Sequence, residues 1–247
     1  MRELGIAVDG GKDSLSMAVK AKKAKTSVSS EVVKSPGTIV ISAYAPVPDI
    51  RVKVTPELKA AESCLIHIDL SGRKKEKSRT GASALAQVFN QIGNIVPDID
   101  DSSHLSKGFT LVQRFIREGK CTAGHDISDG GLITCFLEMA FASNMGLNIV
   151  MDSYDKNDSI IDFLFSEECG VIIQVPLSHA DEVKNLLREN ALRFQVIGHP
   201  VDEDKITVKV NGETVVEVRK YINSRDSHNI LIPFYNIALS AGKDDSS

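Results

Sequence analysis

Aromatic residues are scarce in this 247-residue chain, at 5%, and tryptophan is absent. None interrupts the two basic clusters, "KAKKAK" (20–25) and "RKKEK" (73–77), and the formal net charge is −4, so both clusters read as solvated faces and nucleic-acid binding has no support. No apolar run reaches the ~18 residues that a membrane helix needs, and the first residues hold no signal-peptide core; the expectation is a cytoplasmic protein with no membrane partner. Cysteine is limited to Cys64, Cys121, Cys135 and Cys169, with no C-x-x-C and no nearby histidine pair. That spacing argues against zinc and against a disulfide framework, and leaves four buried thiols. None of the four sits in a glycine-flanked elbow, so a glutaminase-type nucleophile has no candidate. What remains is ordinary globular material, 42% hydrophobic and 25% charged, enough for one large domain or one domain plus part of another.

The stretch "GIAVDGGKDSLSMA" (5–18) places two glycines, a lysine and a serine after a short apolar run at 4–9, read as a strand. Gly11 can turn backbone N–H groups toward an anion, Lys12 adds charge and Ser14 adds a hydroxyl, so a phosphate contact is chemically reasonable. A Walker A loop fails by register, because Gly11 intervenes before Lys12 and Asp13 stands where the magnesium-binding hydroxyl belongs. A pyrophosphatase-type loop needs a regular parallel β-α-β continuation, whereas residues 20–37 are polar, without periodicity, and end in the turn-forming Ser35-Pro36-Gly37. A plain Gly-Gly turn is the bland alternative.

Beyond the turn, 38–47, 50–56 and 64–70 read as β runs, followed by helices at 81–93 and 103–120. In the second helix Leu105, Phe109, Val112, Phe115 and Ile116 form the apolar stripe. A helix apolar nearly all round follows the loop 121–131. Then strand and helix alternate: "GLNIVM", the helix "SIIDFLFSEE" (159–168), "GVIIQVPL", a helix at 178–190 capped by Ser178, and "RFQVIGHPV". Asn211-Gly212 marks a two-residue hairpin between the last two strands, and 220–247 lose periodicity. The pattern predicts an α/β (mixed αβ) fold with a mixed or antiparallel sheet covered by helices.

The most informative stretch is "GHDISDGGLITCFLEMAFA" (124–142). Asp126 and Asp129 flank Ser128 just ahead of Gly130-Gly131 and a helix N-terminus, where hard oxygen ligands and backbone donors suit a magnesium nucleotide. Simple capping of the helix by Ser128 or Asp129 accounts for the same residues, and spacing alone leaves the two readings level.

Taken in order, "VDGGKDSLSM", "SPGTIVISAYAPVPDI", "TGASALAQVFNQIG", "GHDISDGGLITCFLEMAFA" and "FSEECGVIIQV" resemble the second synthetase half of the large formylglycinamide ribonucleotide amidotransferases (phosphoribosylformylglycinamidine synthases) over roughly residues 4–218. That resemblance implies a domain like the C-terminal one of the aminoimidazole ribonucleotide synthetase superfamily. It also implies an ATP-dependent ligase of purine biosynthesis that converts formylglycinamide ribonucleotide to its amidine. Residue by residue it makes Asp126 a magnesium ligand, Ser128 and Gly11 nucleotide contacts, and Ser14 and Lys12 contacts to substrate phosphate, with no catalytic side chain here. The cofactors implied are Mg2+ and ATP, or a structural ADP in a second, pseudo-symmetric site. The chain would then comprise a remnant of the preceding domain plus linker (1–34), a C-terminal-type synthetase domain (35–219) and a divergent tail (220–247), its partners being the missing synthetase and glutaminase domains. The rival expectations are a noncatalytic nucleotide-binding module or truncated product, and another member of the same superfamily.

Overall fold

A computed structural model describes residues 1–12, 17–22, 30–34, 39–60, 62–73, 78–152 and 159–219. The chain divides into two compact units, Met1–Ile50 and Arg51–Ser247. This division falls later than the boundary expected at 34/35; Pro36 and Gly37, which motivated that boundary, lie outside the described residues, as does the tail from 220.

The first unit contains an antiparallel pair, β1 (Ala18–Lys22) and β2 (Ser30–Lys34), where the sequence predicts no regular structure. One cross-strand valine pair lies within it, Val19 opposite Val33. No strand forms over 4–9 or over 39–47, the described part of the run expected at 38–47; both segments run as exposed turn and coil, with Ile39, Val40, Ile41 and Tyr44 open to solvent. A β-rich composition makes a strand only where a neighbouring strand takes up the backbone N–H and C=O groups.

The second unit is built on a seven-stranded mixed sheet, β4-β6-β3-β7-β5-β8-β9. Its strands are β3 (Ser63–Asp69), β4 (Ala123–Ile127), β5 (Gly146–Met151), β6 (Gly170–Pro176), β7 (Arg193–Val201), β8 (Lys205–Val210) and β9 (Glu213–Arg219). All neighbours pair antiparallel except β5 with β8. Strand β3 lies in the interior of the sheet between β6 and β7 and reads SCLIHID; Leu65, Ile66 and Ile68 are fully buried because both faces are covered. On one face Leu65, Ile172, Ile197 and Ile149 pack with α3 (Gly131–Ser143) and α4 (Ile160–Phe165). On the other, Ile66, Ile68, Ile173 and Val175 pack with α2 (Ser102–Arg117) and α5 (Leu177–Glu189). The β run expected at 50–56 is not a strand, though Thr55 accepts the Gly124 amide alongside the outer strand β4.

Helix α3 matches the all-round apolar reading: Leu132, Ile133, Cys135, Phe136, Met139 and Ala140 are buried. In α2 the buried stripe is Gly108, Leu111 and Phe115, whereas Phe109, assigned to the stripe from sequence, is 60% exposed. The helix expected over 81–93 is only α1 (Ala84–Val88), with no buried residue to extend it; Ala82 N–H instead bonds back to Ile92, and Asn90 takes positive φ. Ser178 does not cap α5. That helix begins at Leu177 directly after Pro176, and the Leu177 amide is taken by the Glu62 carbonyl. The helix read over 159–168 stops at Phe165, so Ser166, Glu167 and Glu168 leave it and become available for other work. The Asn211-Gly212 hairpin forms as expected, with φ of 51° and 85°.

Candidate functional site

Among the described residues strand β4 pairs with β6 alone, through Gly124 opposite Ile173 and Asp126 opposite Val171, and so lies on the edge of the sheet. Ile127 at its end is buried and anchors the loop, while Asp126, Ser128 and Asp129 face solvent. The Asp126 carboxylate is 78% exposed. His125 lies beside it, with Nδ1 at 3.3 Å from Asp126 Oδ1 and Nε2 at 2.8 Å from Glu138 Oε2 on α3. A carboxylate held at one edge and open to water elsewhere can meet a dication or a ligand hydroxyl.

The loop closes through its backbone. Gly131 N–H donates to the Ser128 carbonyl at 3.0 Å, and Gly130, at φ 86°, leads into α3 with no side-chain cap. Neither Ser128 nor Asp129 caps the helix, which removes the capping alternative for this loop. The Gly130 N–H donates at 2.8 Å to Oε1 of Glu167. One of the backbone donors that the sequence offered to an anionic ligand is therefore already taken by a carboxylate of the protein. Gly131 is required by proximity: a Cβ there would lie 2.7 Å from the Phe165 carbonyl carbon and 2.7 Å from the Ser166 oxygen.

Ser166, Glu167 and Glu168 were hidden from sequence reading inside an apparent helix, yet they connect the loop to the segment 79–84. Ser166 Oγ donates to the Arg79 carbonyl at 2.7 Å. Glu167 Oε1 also accepts the Ala84 amide at 2.8 Å. Glu168 receives the Arg79 guanidinium through Nε to Oε1 and Nη2 to Oε2, both at 2.7 Å. Asp100 and the Asp98 carbonyl complete the Arg79 shell, and the hydrogen bond to Glu168 is the largest influence holding its guanidinium protonated. Two consecutive carboxylates directly after an apolar helical turn were the available signal.

A second polar cluster lies beneath. Arg193 pairs with Asp69 at 3.3 Å and donates to the Arg73 carbonyl. Arg73 is buried, 3.6 Å from Glu168, with Nε and Nη1 lacking a hydrogen-bond partner among the described residues. Asp69, Arg73 and Glu168, with His67 and Cys169, line a cavity of about 20 Å³, room for a single water. Burial pulls the His67 imidazole down to about 4, against Asp69 and with Arg193 and Arg73. Burial pushes all four cysteine thiols up, Cys121 to about 12, which makes them inert packing groups.

Of the residues singled out in the first motif, Gly11 and Lys12 lie exposed in coil of the first unit, and Ser14 lies outside the described residues. Among the described residues no group of three or more His, Cys, Asp or Glu is arranged to hold a metal, so Asp126 offers one carboxylate and not a complete magnesium site. No helix among the described residues is long and apolar enough to cross a membrane.

Residues 58–211 match the model for AIR synthase related protein, C-terminal domain, and residues 1–46 match that for an FGAR-AT PurM_N-like domain. The chain is 49% identical over 216 residues to the probable phosphoribosylformylglycinamidine synthase, chloroplastic/mitochondrial, of Arabidopsis thaliana, covering 87% of this chain and 14% of that protein. It is 40% identical over 222 residues to the phosphoribosylformylglycinamidine synthase of Homo sapiens, covering 88% and 16%. The chain thus spans between a seventh and a sixth of the length of these curated relatives. Among solved structures it is similar to T. maritima PurL complexed with ATP, at a TM-score of 0.54 and 15% identity over 69% of this chain and 27% of that one. It is likewise similar to T. maritima PurL complexed with FGAR, at 0.55 and 15% over 69% and 29%. At that identity the likeness speaks for the fold.

Proposed function

We propose that this chain, which belongs to the AIR synthase related protein family through its C-terminal domain, is part of an ATP-dependent amidotransferase that converts formylglycinamide ribonucleotide to formylglycinamidine ribonucleotide in purine biosynthesis. The observation that carries the proposal is 49% identity extending over 87% of the chain to a protein named for that reaction. Within it, the chain supplies a nucleotide-binding loop and scaffold. Asp126 contributes a single carboxylate toward Mg2+, and Ser128 offers its hydroxyl to the nucleotide, ATP or a structural ADP. Gly11, Lys12 and Ser14 are the proposed contacts to nucleotide and substrate phosphate. The remaining metal ligands, and the glutaminase that would deliver ammonia, belong to partner domains; no step of the reaction is completed by the described residues. In this proposal 1–34 is a remnant of the preceding domain plus linker, 35–219 a synthetase C-terminal-type domain and 220–247 a divergent tail. The cytoplasmic setting read from the sequence belongs to the proposal too; the Arabidopsis relative is named for organelles, and fractionation decides the compartment.

Titration of the purified chain with ADP and Mg2+ tests it. Asp126→Asn should weaken binding by about tenfold, since a neutral amide lacks the charge a hard dication seeks, while the melting temperature of the ligand-free protein stays put because the group is exposed. Equal binding by wild type and variant sinks the assignment of Asp126. Formation of the amidine product by this chain alone would sink the reading of it as a part.

A further inference from the structure

The hydrogen bonds of Glu167 go beyond the family likeness and join two loops distant in sequence. Its Oε1 accepts the amides of Gly130 and of Ala84, both at 2.8 Å. The two donors are not equivalent to ordinary caps. Helix α1 already has a side-chain cap, Ser83, whose Oγ accepts the Ala86 amide at 3.2 Å, so Glu167 takes a different first-turn donor. Helix α3 has no side-chain cap of its own, and the carboxylate that serves Gly130 arrives from beyond α4. The absence of a side chain at Gly131 permits that arrival, because the backbone of 164–166 passes within 2.8 Å of where its Cβ would lie. On either side of Glu167, Ser166 and Glu168 hold the carbonyl and the guanidinium of Arg79, which fixes the carboxylate's backbone against the same 79–84 segment.

We infer that Glu167 is a positioning residue that sets the Asp126–Gly130 loop and locks it to the start of α1, so that a shift of either is transmitted to the other through one oxygen. A carboxylate is suited to this place because each N–H belongs to a helix start, where partial positive charge favours an anion. Two consequences follow. The Gly130 amide is withheld from an anionic ligand, which leaves recognition to the side chains of Asp126 and Ser128. Any ligand that draws the loop outward must also displace Ala84. The role in ligand binding rests on the proposed nucleotide reading; the coupling of the two segments does not.

Amide hydrogen exchange on the full chain tests the coupling without ligand. In Glu167→Ala the Gly130 and Ala84 amides should both exchange about tenfold faster, while core amides such as those of Ile66 and Ile173 hold their protection. Glu167→Gln keeps an acceptor oxygen of the same reach and should restore most of that protection at both sites. Ala84→Pro removes one donor only. Proline is accepted at the first helical position, and Ser83, at φ −66° and ψ 163°, already has the backbone that precedes proline. Faster exchange at Gly130 in that variant supports the coupling; unchanged exchange in the folded variant overturns it. Should Ala84→Pro fail to fold, Glu167→Ala decides alone, and acceleration at only one of the two amides overturns the proposal. With ADP and Mg2+ as the probe, weaker binding by Glu167→Ala that Glu167→Gln rescues supports a positioning role, and equal affinities of all three proteins overturn it. Failure of wild type to bind ADP counts against the proposed function, and the exchange data still decide the coupling.

Discussion

Glu168→Ala removes the carboxylate at the centre of the charged cluster, and the structure sets the size of the effect. Two short hydrogen bonds to Arg79 are lost, from Nε and Nη2, together with the Arg79 amide contact at 3.2 Å. The side chains are 9% and 11% exposed, so water cannot replace the partner freely. Arg73, whose Nε and Nη1 already lack hydrogen-bond partners among the described residues, loses its neighbour at 3.6 Å. Breaking a buried pair by removing one member costs about 3–5 kcal/mol, since it strands a desolvated charge. Arg79 keeps Asp100 and the Asp98 carbonyl, and Asp100 is partly solvated, which lowers the expectation to about 2–4 kcal/mol. With a urea slope of about 2 kcal/mol/M, the midpoint should fall by roughly 1–2 M without a change in slope. Glu168→Gln retains the shape and one acceptor and should cost about half as much. As a contrast, Glu118→Ala breaks the solvent-exposed links to Arg114 and Lys120 and should leave the midpoint almost unmoved. A Glu168→Ala midpoint within about 0.3 M of wild type would refute the argument, by showing that the guanidinium groups find water or another anion at no cost.

His67 gives a pH test. Its folded-state value of about 4 lies below the ~6.5 of an unfolded histidine, so the unfolded chain takes up the proton first. The stability associated with neutral His67 is present above about pH 6.5 and is lost as the pH falls toward about 4. The difference between the urea midpoints of wild type and His67→Gln should therefore change between about pH 7 and about pH 5, and parallel profiles would sink the idea. Gly131→Ala places a Cβ 2.7 Å from backbone atoms of Phe165 and Ser166 at a φ of 74° and should lower the melting temperature by about 5–10 °C; an unchanged melt would mean that the close approach is not maintained.

Features carried by local chemistry were legible in the sequence. Asn211-Gly212 supplies the two positive φ values that its hairpin needs, and the continuous apolar surface of α3 identifies a helix buried against a sheet. Features that depend on a partner were not. The β-rich run 39–47 has the composition of a strand but stays exposed coil, because a strand is defined by the neighbour that accepts its hydrogen bonds. The pair Ala18–Lys22 and Ser30–Lys34 has no long hydrophobic pattern, and its one cross-strand valine pair, Val19 with Val33, is too short a signal to read from sequence. Helix α1 is shorter than its pattern suggests for a related reason: "ASALAQVF" has helical propensity, but no residue of α1 is fully buried, and propensity alone does not carry a helix past one or two turns.

The candidate site divides along the same line. Asp126 and Ser128 could be singled out because paired carboxylates and a hydroxyl before two glycines have a local meaning, and the loop does present them to solvent. What holds that loop could not be read locally. Glu167 and Glu168 continue the apparent period of "SIIDFLF", and only the termination of α4 at Phe165 turns them toward groups far away in sequence. The reason the helix stops is visible in the partners. The backbone of 164–166 must pass close to Gly131 for Glu167 to reach Gly130, and an added helical turn would carry both carboxylates past their donors. The glycine pair therefore has two jobs: both residues supply the left-handed turn, and Gly131 also supplies the space through which a distant carboxylate fixes that turn. A chain that keeps Asp126 and Ser128 but has a bulkier residue at 131 would still display the motif and would lose the anchorage that gives it a fixed shape.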